Sequence, residues 1–223
     1  MRRTVRVLLV MTLALAFGSC EVDPTTGHPP PIGHPAPPYQ SWITAVTADD
    51  LPYSWRPGCP VGPADLRLLT LTNWGYDGNA YTGALVVHRD VAAVVDTIFR
   101  YLYDQRFQIE RIVPIDAYQG DDDTSMAHNN TSAFNCRAVT GGTAWSEHSY
   151  GSAIDINPVQ NPYVSGDVVA PEAGRNYLNR ADVVPGMIVS PGPVVDAFRY
   201  NGWGWGGDWV SKKDYQHVSL TGR

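Results

Sequence analysis

The segment between Asp23 and Gln40 places the strongest limit on what this chain can fold into. Seven of its residues are proline, and its few apolar residues follow no helical or strand period. Proline fixes φ and removes a backbone donor, so such a run favours a semi-extended chain that builds no packed core. We therefore predict a Pro-rich tether over residues 21–44 and a folded domain over residues 45–223.

The first twenty residues, MRRTVRVLLVMTLALAFGSC, are typical of an export signal. They have a basic start, an apolar run from Val7 to Phe17 and small residues before Cys20, and the run is too short for a comfortable membrane span. The residues Phe17-Gly18-Ser19-Cys20 also resemble a bacterial lipoprotein box, in which Cys20 would carry the lipid. Residues 1–20 therefore predict a protein outside the cytoplasm, either secreted or attached to the membrane through lipidated Cys20 at the bacterial cell envelope.

Length and charge narrow the class of protein further. With 223 residues, 43% of them hydrophobic, the chain can bury one sizeable core, and we expect a single folded unit that acts as a monomer. The formal net charge is −6, and removal of the N-terminal arginines makes it more negative. This charge argues against nucleic acid as a partner, because binding to a phosphate backbone needs a basic surface.

Two cysteines remain if Cys20 is lipidated or removed with the signal. Cys59 and Cys136 form an even pair in an exported, oxidising environment, which favours a disulfide. The alternative is two buried free thiols, since the sequence cannot show that their Cα atoms approach each other.

The pattern of apolar residues predicts mixed secondary structure. The stretch LRLLTLTNWGYDG alternates like a strand that ends in a turn, and RDVAAVVDTIFRYLYDQ has the spacing of an amphipathic helix with Asp90 as its N-cap. The stretch FQIERIVPI again predicts a strand, and VVDAFRYNGW a short helix that ends at Gly202. Without a regular βαβ order, the expected class is α+β with a small, mainly antiparallel sheet flanked by helices.

One stretch, SEHSYGSAIDIN, places a histidine and an aspartate close together in sequence. Alternation in the strand sets Ile154 and Ile156 against Asp155, and Gly151 allows a turn that lets His148 converge with Asp155. Such a pair suits zinc, which in catalytic sites takes three protein ligands and leaves a position for water. Alone, the pair is weak evidence, because one His and one Asp at this spacing arise often by chance and a surface hydrogen bond is the more common explanation.

The end of the chain offers further candidates in the stretch DYQHVSL. His217 would share a strand face with Ser219, and Asp214 stands three residues before His217. In a continuous strand Asp214 and His217 would face opposite ways, so the two can cooperate only if the chain turns between them.

Together these two stretches resemble the VanY-like zinc D-Ala-D-Ala carboxypeptidase and L-Ala-D-Glu endopeptidase family of cell-wall metallopeptidases. The family pattern is S-x-H-x-x-G-x-A-x-D followed by (D/E)-x-x-H, and this chain fills both motifs with Ser146, His148, Gly151, Ala153, Asp155, Asp214 and His217.

The resemblance implies a fold of the DD-peptidase/hedgehog-like type with the zinc site on the sheet. It implies Zn²⁺ held by His148, Asp155 and His217, with Asp214 as general acid and base. It also carries to Arg137 the role of a substrate-facing arginine, for which a surface ion pair is the alternative. Further contacts to substrate are expected from Ser146 and Trp209, although Trp203, Trp205 and Trp209 could all pack beneath the site instead.

The function that the resemblance implies is zinc-dependent hydrolysis of peptide bonds in peptidoglycan stem peptides. The cleaved bond would be of the L-Ala-D-Glu endopeptidase or the D-Ala-D-Ala carboxypeptidase type. The alternatives are a non-catalytic cell-wall binding module that retains the fold and a structural lipoprotein stabilised by zinc. A binding module has no need of Asp214, and a structural zinc site would need a fourth ligand, which is not evident in the sequence.

Overall fold

The structure is a computed structural model and describes residues 37–223. Its strands are β1 (Ser41–Ala45), β2 (Leu66–Trp74), β3 (Ala80–His88), β4 (Arg111–Ile112), β5 (Asn130–Thr131), β6 (Ala153–Asp155), β7 (Tyr163–Ser165), β8 (Val168–Ala170), β9 (Gly204–Trp205), β10 (Lys213–Asp214) and β11 (His217–Ser219). Its α-helices are α1 (Ala92–Asp104), α2 (Asp122–Ala127) and α3 (Pro193–Tyr200). The predicted export signal, its Cys20 and most of the tether lie outside the described residues.

The largest sheet is antiparallel, in the order β1-β2-β3, and it carries the core on one face. Alternation along β2 and β3 directs Leu69, Leu71 and Leu85 to this face, where α1 packs with its buried stripe. The stripe contains Val95, Ile98, Phe99 and Leu102, at the spacing that one face of a helix requires. Burial of these side chains against each other fixes α1 across the sheet.

A second apolar cluster covers part of the opposite face of this sheet. Leu66 and Val86 pack there with Phe134 and Cys136. Cys136 forms a disulfide with Cys59, with the two Cα atoms 5.9 Å apart. The cluster and the disulfide therefore attach the loop around Cys59 to the segment that leads into Arg137.

Two small antiparallel sheets form the C-terminal half. One has the order β6-β11-β9 and the other the order β10-β7-β8. The apolar residues of β6 and β11, Ile154 and Val218, are fully buried in the main core, which anchors both strands. These strands belong to the motifs that the sequence singled out, so the main core directly supports the candidate site.

The predicted α+β class with mainly antiparallel pairing is confirmed, although the strands divide into several small sheets instead of one. Only β4 and β5 pair in parallel among the named strands of residues 37–223. None of the helices in the described part of the chain has the length and apolar character needed to cross a membrane.

Three local expectations differ from the structure. Strand β1 begins at Ser41 and pairs with β2, so ordered pairing starts inside the segment assigned to the tether. The predicted strand FQIERIVPI is reduced to Arg111–Ile112, because its partner β5 has only two residues. Asp90 does not cap α1: the N-cap is Val91, without a side-chain hydrogen bond, and the Asp90 carboxylate lies beside His88 and Arg89.

Candidate active site

Strand pairing brings two of the candidate ligands face to face. In the antiparallel pair of β6 and β11, His217 lies directly opposite Asp155. Directly opposed residues have Cβ atoms only about 4.5–5.5 Å apart, so their side chains meet on the same face of the sheet. The backbone of Asp155 also pairs with Ser132 on its other side, which holds the strand from both edges.

His148 reaches the same point from a short 3-10 helix, Glu147–Tyr150, that precedes β6. Ser146 is its N-cap, and the Ser146 hydroxyl accepts a hydrogen bond of 3.3 Å from the His148 backbone N–H. Gly151 ends the helix at φ +68°, and a Cβ there would lie 2.6 Å from the backbone nitrogen of His88. Both the left-handed turn and the close approach require glycine, as the predicted turn before Asp155 implied.

The ligand atoms of these residues form a tight triangle. His148 Nε2 lies 3.1 Å from Asp155 Oδ2, and His217 Nδ1 lies 3.0 Å from Asp155 Oδ1. The two imidazole nitrogens are 3.3 Å apart. All three side chains are buried, and together they form a group whose ligand atoms could hold one metal ion.

In each histidine, the ring nitrogen that does not face Asp155, called here the outer nitrogen, determines the tautomer of the ring. His148 Nδ1 lies 2.6 Å from the backbone oxygen of Ala133, and His217 Nε2 lies 3.0 Å from that of Arg223. A backbone oxygen only accepts, so both outer nitrogens are N–H donors, and in the neutral rings both inner nitrogens carry lone pairs. Two lone pairs and a carboxylate therefore converge in a buried space, which is the chemistry of a cation site.

The pKa values of Asp155 and His217 are both shifted in the direction that favours positive charge beside Asp155. Burial alone would raise the pKa of Asp155, yet the charges and hydrogen bonds of His148 and His217 hold it far below its usual range. Burial alone would lower the pKa of His217, but the hydrogen bond and charge of Asp155 raise it to about 9. The negative charge of Asp155 thus stabilises positive charge on His217.

Asp214 lies beside this cluster because the chain bends between β10 and β11. The bend covers Tyr215 and Gln216, so Asp214 and His217 do not belong to one continuous strand. The Asp214 Oδ1 atom is buried and has no hydrogen-bond partner among the described residues. Burial raises the pKa of Asp214 to about 6, although the charge of His217 opposes the shift. A carboxylate in this state can both take up and release a proton near neutral pH.

Gly206 makes room for Asp214. A Cβ at position 206 would lie 2.5 Å from the backbone oxygen of Asp214 and 2.8 Å from its Cβ. A residue with a side chain at this position would therefore displace the backbone of Asp214.

Arg137 lines the same groove and is paired with an acidic residue. Its Nη2 lies 2.7 Å from Asp122 Oδ2, and both side chains are about a quarter exposed. The Ser149 hydroxyl accepts from the Arg137 backbone N–H at 2.9 Å and donates to its carbonyl at 2.7 Å. The guanidinium therefore projects into the groove from a braced backbone, with its charge partly balanced by Asp122.

The groove has a volume of about 1230 Å³ and runs past the cluster. Trp209 lines it, with its ring 5.6 Å from that of His217, whereas Trp203 and Trp205 are buried in the main core. Only one of the three tryptophans in this stretch is thus in a position to contact a ligand. Ser146 also lines the groove, although its hydroxyl is engaged as the helix cap.

Three contributors were missed by sequence analysis. Asp122 belongs to the acidic stretch DDDTS, where Asp121 caps α2 through a 2.7 Å bond from the Thr124 N–H and gives no hint of the pairing with Arg137. Gly206 contributes no contact of its own; its missing side chain leaves room for Asp214, which the sequence alone does not reveal. The backbone oxygen of Arg223 could not be found, because backbone acceptors carry no residue signature.

Comparison with known proteins found one similarity, and it covers the segment that contains the cluster. A family model described as D-alanyl-D-alanine carboxypeptidase matches residues 140–220, a little over a third of the chain. Searches of curated proteins and of solved structures found no match. The matched segment contains both motifs and all three residues of the cluster. The motifs and the match agree: residues 140–220 are similar to the family that this model describes as D-alanyl-D-alanine carboxypeptidase.

Proposed function

We propose that this protein is an exported zinc peptidase that hydrolyses peptidoglycan stem peptides, as an L-Ala-D-Glu endopeptidase or a D-Ala-D-Ala carboxypeptidase. One observation carries the proposal. The ligand atoms of His148, Asp155 and His217 converge beside Asp214, whose buried Oδ1 atom has no hydrogen-bond partner among the described residues, inside a segment that matches a carboxypeptidase family model.

The donor set supports zinc as the metal. Zinc favours imidazole and carboxylate ligands, and catalytic zinc sites use three of them. Bonds of about 2.0–2.1 Å in a tetrahedron keep neighbouring donor atoms roughly 3.3 Å apart. The distances of 3.0–3.3 Å among the three donors are close to this value. Zinc, when bound, would supply a Lewis acid that activates water and polarises the scissile carbonyl.

Asp214 would move the proton. Its Oδ1 atom has no competing partner, and a pKa of about 6 leaves it mostly ionised at neutral pH. It would accept a proton from the attacking water and deliver that proton to the nitrogen of the leaving amine. A non-catalytic binding module has no use for a carboxylate oxygen that is buried without a partner at this place, and burying such an atom costs stability.

Arg137 would bind the substrate. Its guanidinium faces the groove, where it would donate to the carbonyl oxygen as negative charge develops there, or to a carboxylate of the substrate. Trp209 would form part of the wall against which the peptide lies. Export and attachment of a lipid to Cys20 would place this groove beside the cell wall, where stem peptides occur.

The test is incubation of zinc-loaded protein with defined stem peptides, followed by mass spectrometry. Loss of a terminal D-Ala and cleavage between L-Ala and D-Glu give products of different mass, so one experiment identifies the bond. The Asp214→Asn variant is the matched control for contaminating peptidases. If wild type and control release the same products at the same rate, or if neither cleaves any peptide, the proposed function is wrong.

A further inference from the structure

The last residues of the chain fold back over His217. Residues 220–223, called here the C-terminal turn, follow β11 directly. The Gly222 backbone N–H donates to the Ser219 carbonyl at 3.2 Å, and the Trp209 Nε1–H donates to the Gly222 carbonyl at 2.8 Å. At the start of the turn, the Leu220 N–H donates to the Ser152 carbonyl at 3.0 Å. The turn is therefore fixed at both ends.

A glycine contact sets the position of the turn. Gly222 has φ +74°, and a Cβ on Gly204 of β9 would lie 2.5 Å from the Cα of Gly222. The two backbones thus lie against each other, which is possible only because Gly204 has no side chain. The turn cannot shift along β9 without losing this fit.

The C-terminal turn contacts His217 directly. The backbone oxygen of Arg223, called here the Arg223 oxygen, accepts from His217 Nε2 at 3.0 Å and from the Ser219 hydroxyl at 2.9 Å. Ser219 and His217 share a strand face, so the hydroxyl holds the Arg223 oxygen directly in front of the imidazole. This contact keeps the proton on Nε2 and leaves Nδ1 directed at Asp155, 3.0 Å away.

We propose that the C-terminal turn is a positioning element for the metal ligand His217. Through the Arg223 oxygen, which Ser219 holds in place, the turn sets the tautomer and the orientation of the imidazole ring. This inference rests on the proposed metal site at His148, Asp155 and His217. Loss of an outer partner of this kind typically weakens metal binding about 10- to 100-fold without the loss of any ligand.

The experiment compares the full chain with three variants. One ends after Thr221 and lacks the Arg223 oxygen, a second is Ser219→Ala, and the third is Leu220→Ala, a control in the same turn whose side chain is half exposed. The first readout is the zinc dissociation constant from chelator competition. The second is the exchange protection of the His217 Nε2 proton by NMR, assigned through its absence in His217→Gln.

We expect the truncated chain to bind zinc about 10- to 100-fold more weakly and to lose the protected proton. Ser219→Ala should change both readouts in the same direction by less, and Leu220→Ala should leave both unchanged. A truncated chain with wild-type affinity and a protected proton overturns the inference. If the full chain binds no zinc, the proposed function fails, whereas the imidazole proton still shows whether the turn positions His217.

Discussion

At the scale of single residues, Asp214 is a carboxyl group whose surroundings oppose its negative charge. It is an acid without a partner at Oδ1, and burial raises its pKa to about 6. Groups with such shifts are concentrated at sites of proton transfer, where a pKa near the working pH is useful. The cost of this arrangement is stability, because the folded chain must keep a carboxylate away from water.

Asp214→Asn should therefore separate activity from stability. The amide cannot take up a proton, so turnover should fall by about 10²- to 10⁴-fold while zinc content is unchanged. The folded-state pKa lies above the unfolded value, so the ionised acid destabilises the fold fully above pH 6, and this penalty fades as the pH falls towards 4. With zinc removed by a chelator, the free energy of unfolding of the variant should exceed that of wild type by about 1–3 kcal/mol at pH 7. Near pH 4 the two values should be equal. A variant that loses its zinc would instead show that Asp214 is a ligand or a residue that supports one.

Gly206→Ala should lower turnover by displacing the backbone of Asp214. The added methyl would lie 2.5 Å from the Asp214 carbonyl oxygen, so the backbone of β10 must move. We expect turnover to fall at least about 10-fold, since small displacements of a catalytic group cost rate steeply. Gly62→Ala is the matched control, because a Cβ there meets nothing within 4 Å and the residue has no positive φ. Equal turnover in the two variants would show that Asp214 tolerates the displacement.

At the scale of elements, the disulfide connects the loop around Cys59 to the segment that carries Arg137. It closes a loop of 77 residues, and in the chain-entropy model such a link is worth roughly 4 kcal/mol. Cys59→Ala with Cys136→Ala should lower the free energy of unfolding, measured in denaturant, by up to about that amount. Turnover should also fall, because Arg137 follows Cys136 directly. Unchanged stability would mean that the apolar cluster of Leu66, Val86 and Phe134 alone secures the loop.

Elements were predictable from sequence where a local period determines them. The stripe of α1 and the alternation of β2 were recognisable because a buried face must repeat with the geometry of its element. The strand FQIERIVPI was overestimated, since the length of a strand depends on its partner, and β5 offers only two residues. Asp90 was chosen as a cap by residue type, but the helix begins after Val91, where packing of the apolar stripe decides its start.

In the candidate site, too, the residues of local motifs were predictable, whereas contacts between distant segments were not. The motifs gave His148, Asp155, His217 and Asp214, because ligand chemistry restricts the residue types that can occupy such positions. The pairing of Asp122 with Arg137 was not predictable, since it joins α2 to a distant segment. The role of the Arg223 oxygen was hidden for another reason: any residue could supply that atom, so only the path of the backbone reveals it.

At the scale of the whole molecule, the tether and the folded domain have separate tasks in the proposed function. Cys20 would carry the lipid, and the Pro-rich segment would hold the catalytic domain away from the membrane. Wild type should partition with membranes, and Cys20→Ser should stop lipid attachment without changing turnover on soluble peptides. Mass spectrometry of the mature N-terminus is the check. A mature chain that begins anywhere other than Cys20 would rule out the lipid anchor and leave the peptidase proposal intact.

The central claim is that peptide hydrolysis depends on zinc at His148, Asp155 and His217. The most direct measurement is turnover of the cleaved stem peptide while zinc is titrated into chelator-treated protein. The account predicts no turnover at the start and a linear rise that ends at one zinc per chain, with no recovery in His217→Ala at the same zinc concentrations. Full turnover in the chelator-treated protein, or equal recovery in His217→Ala, would contradict it.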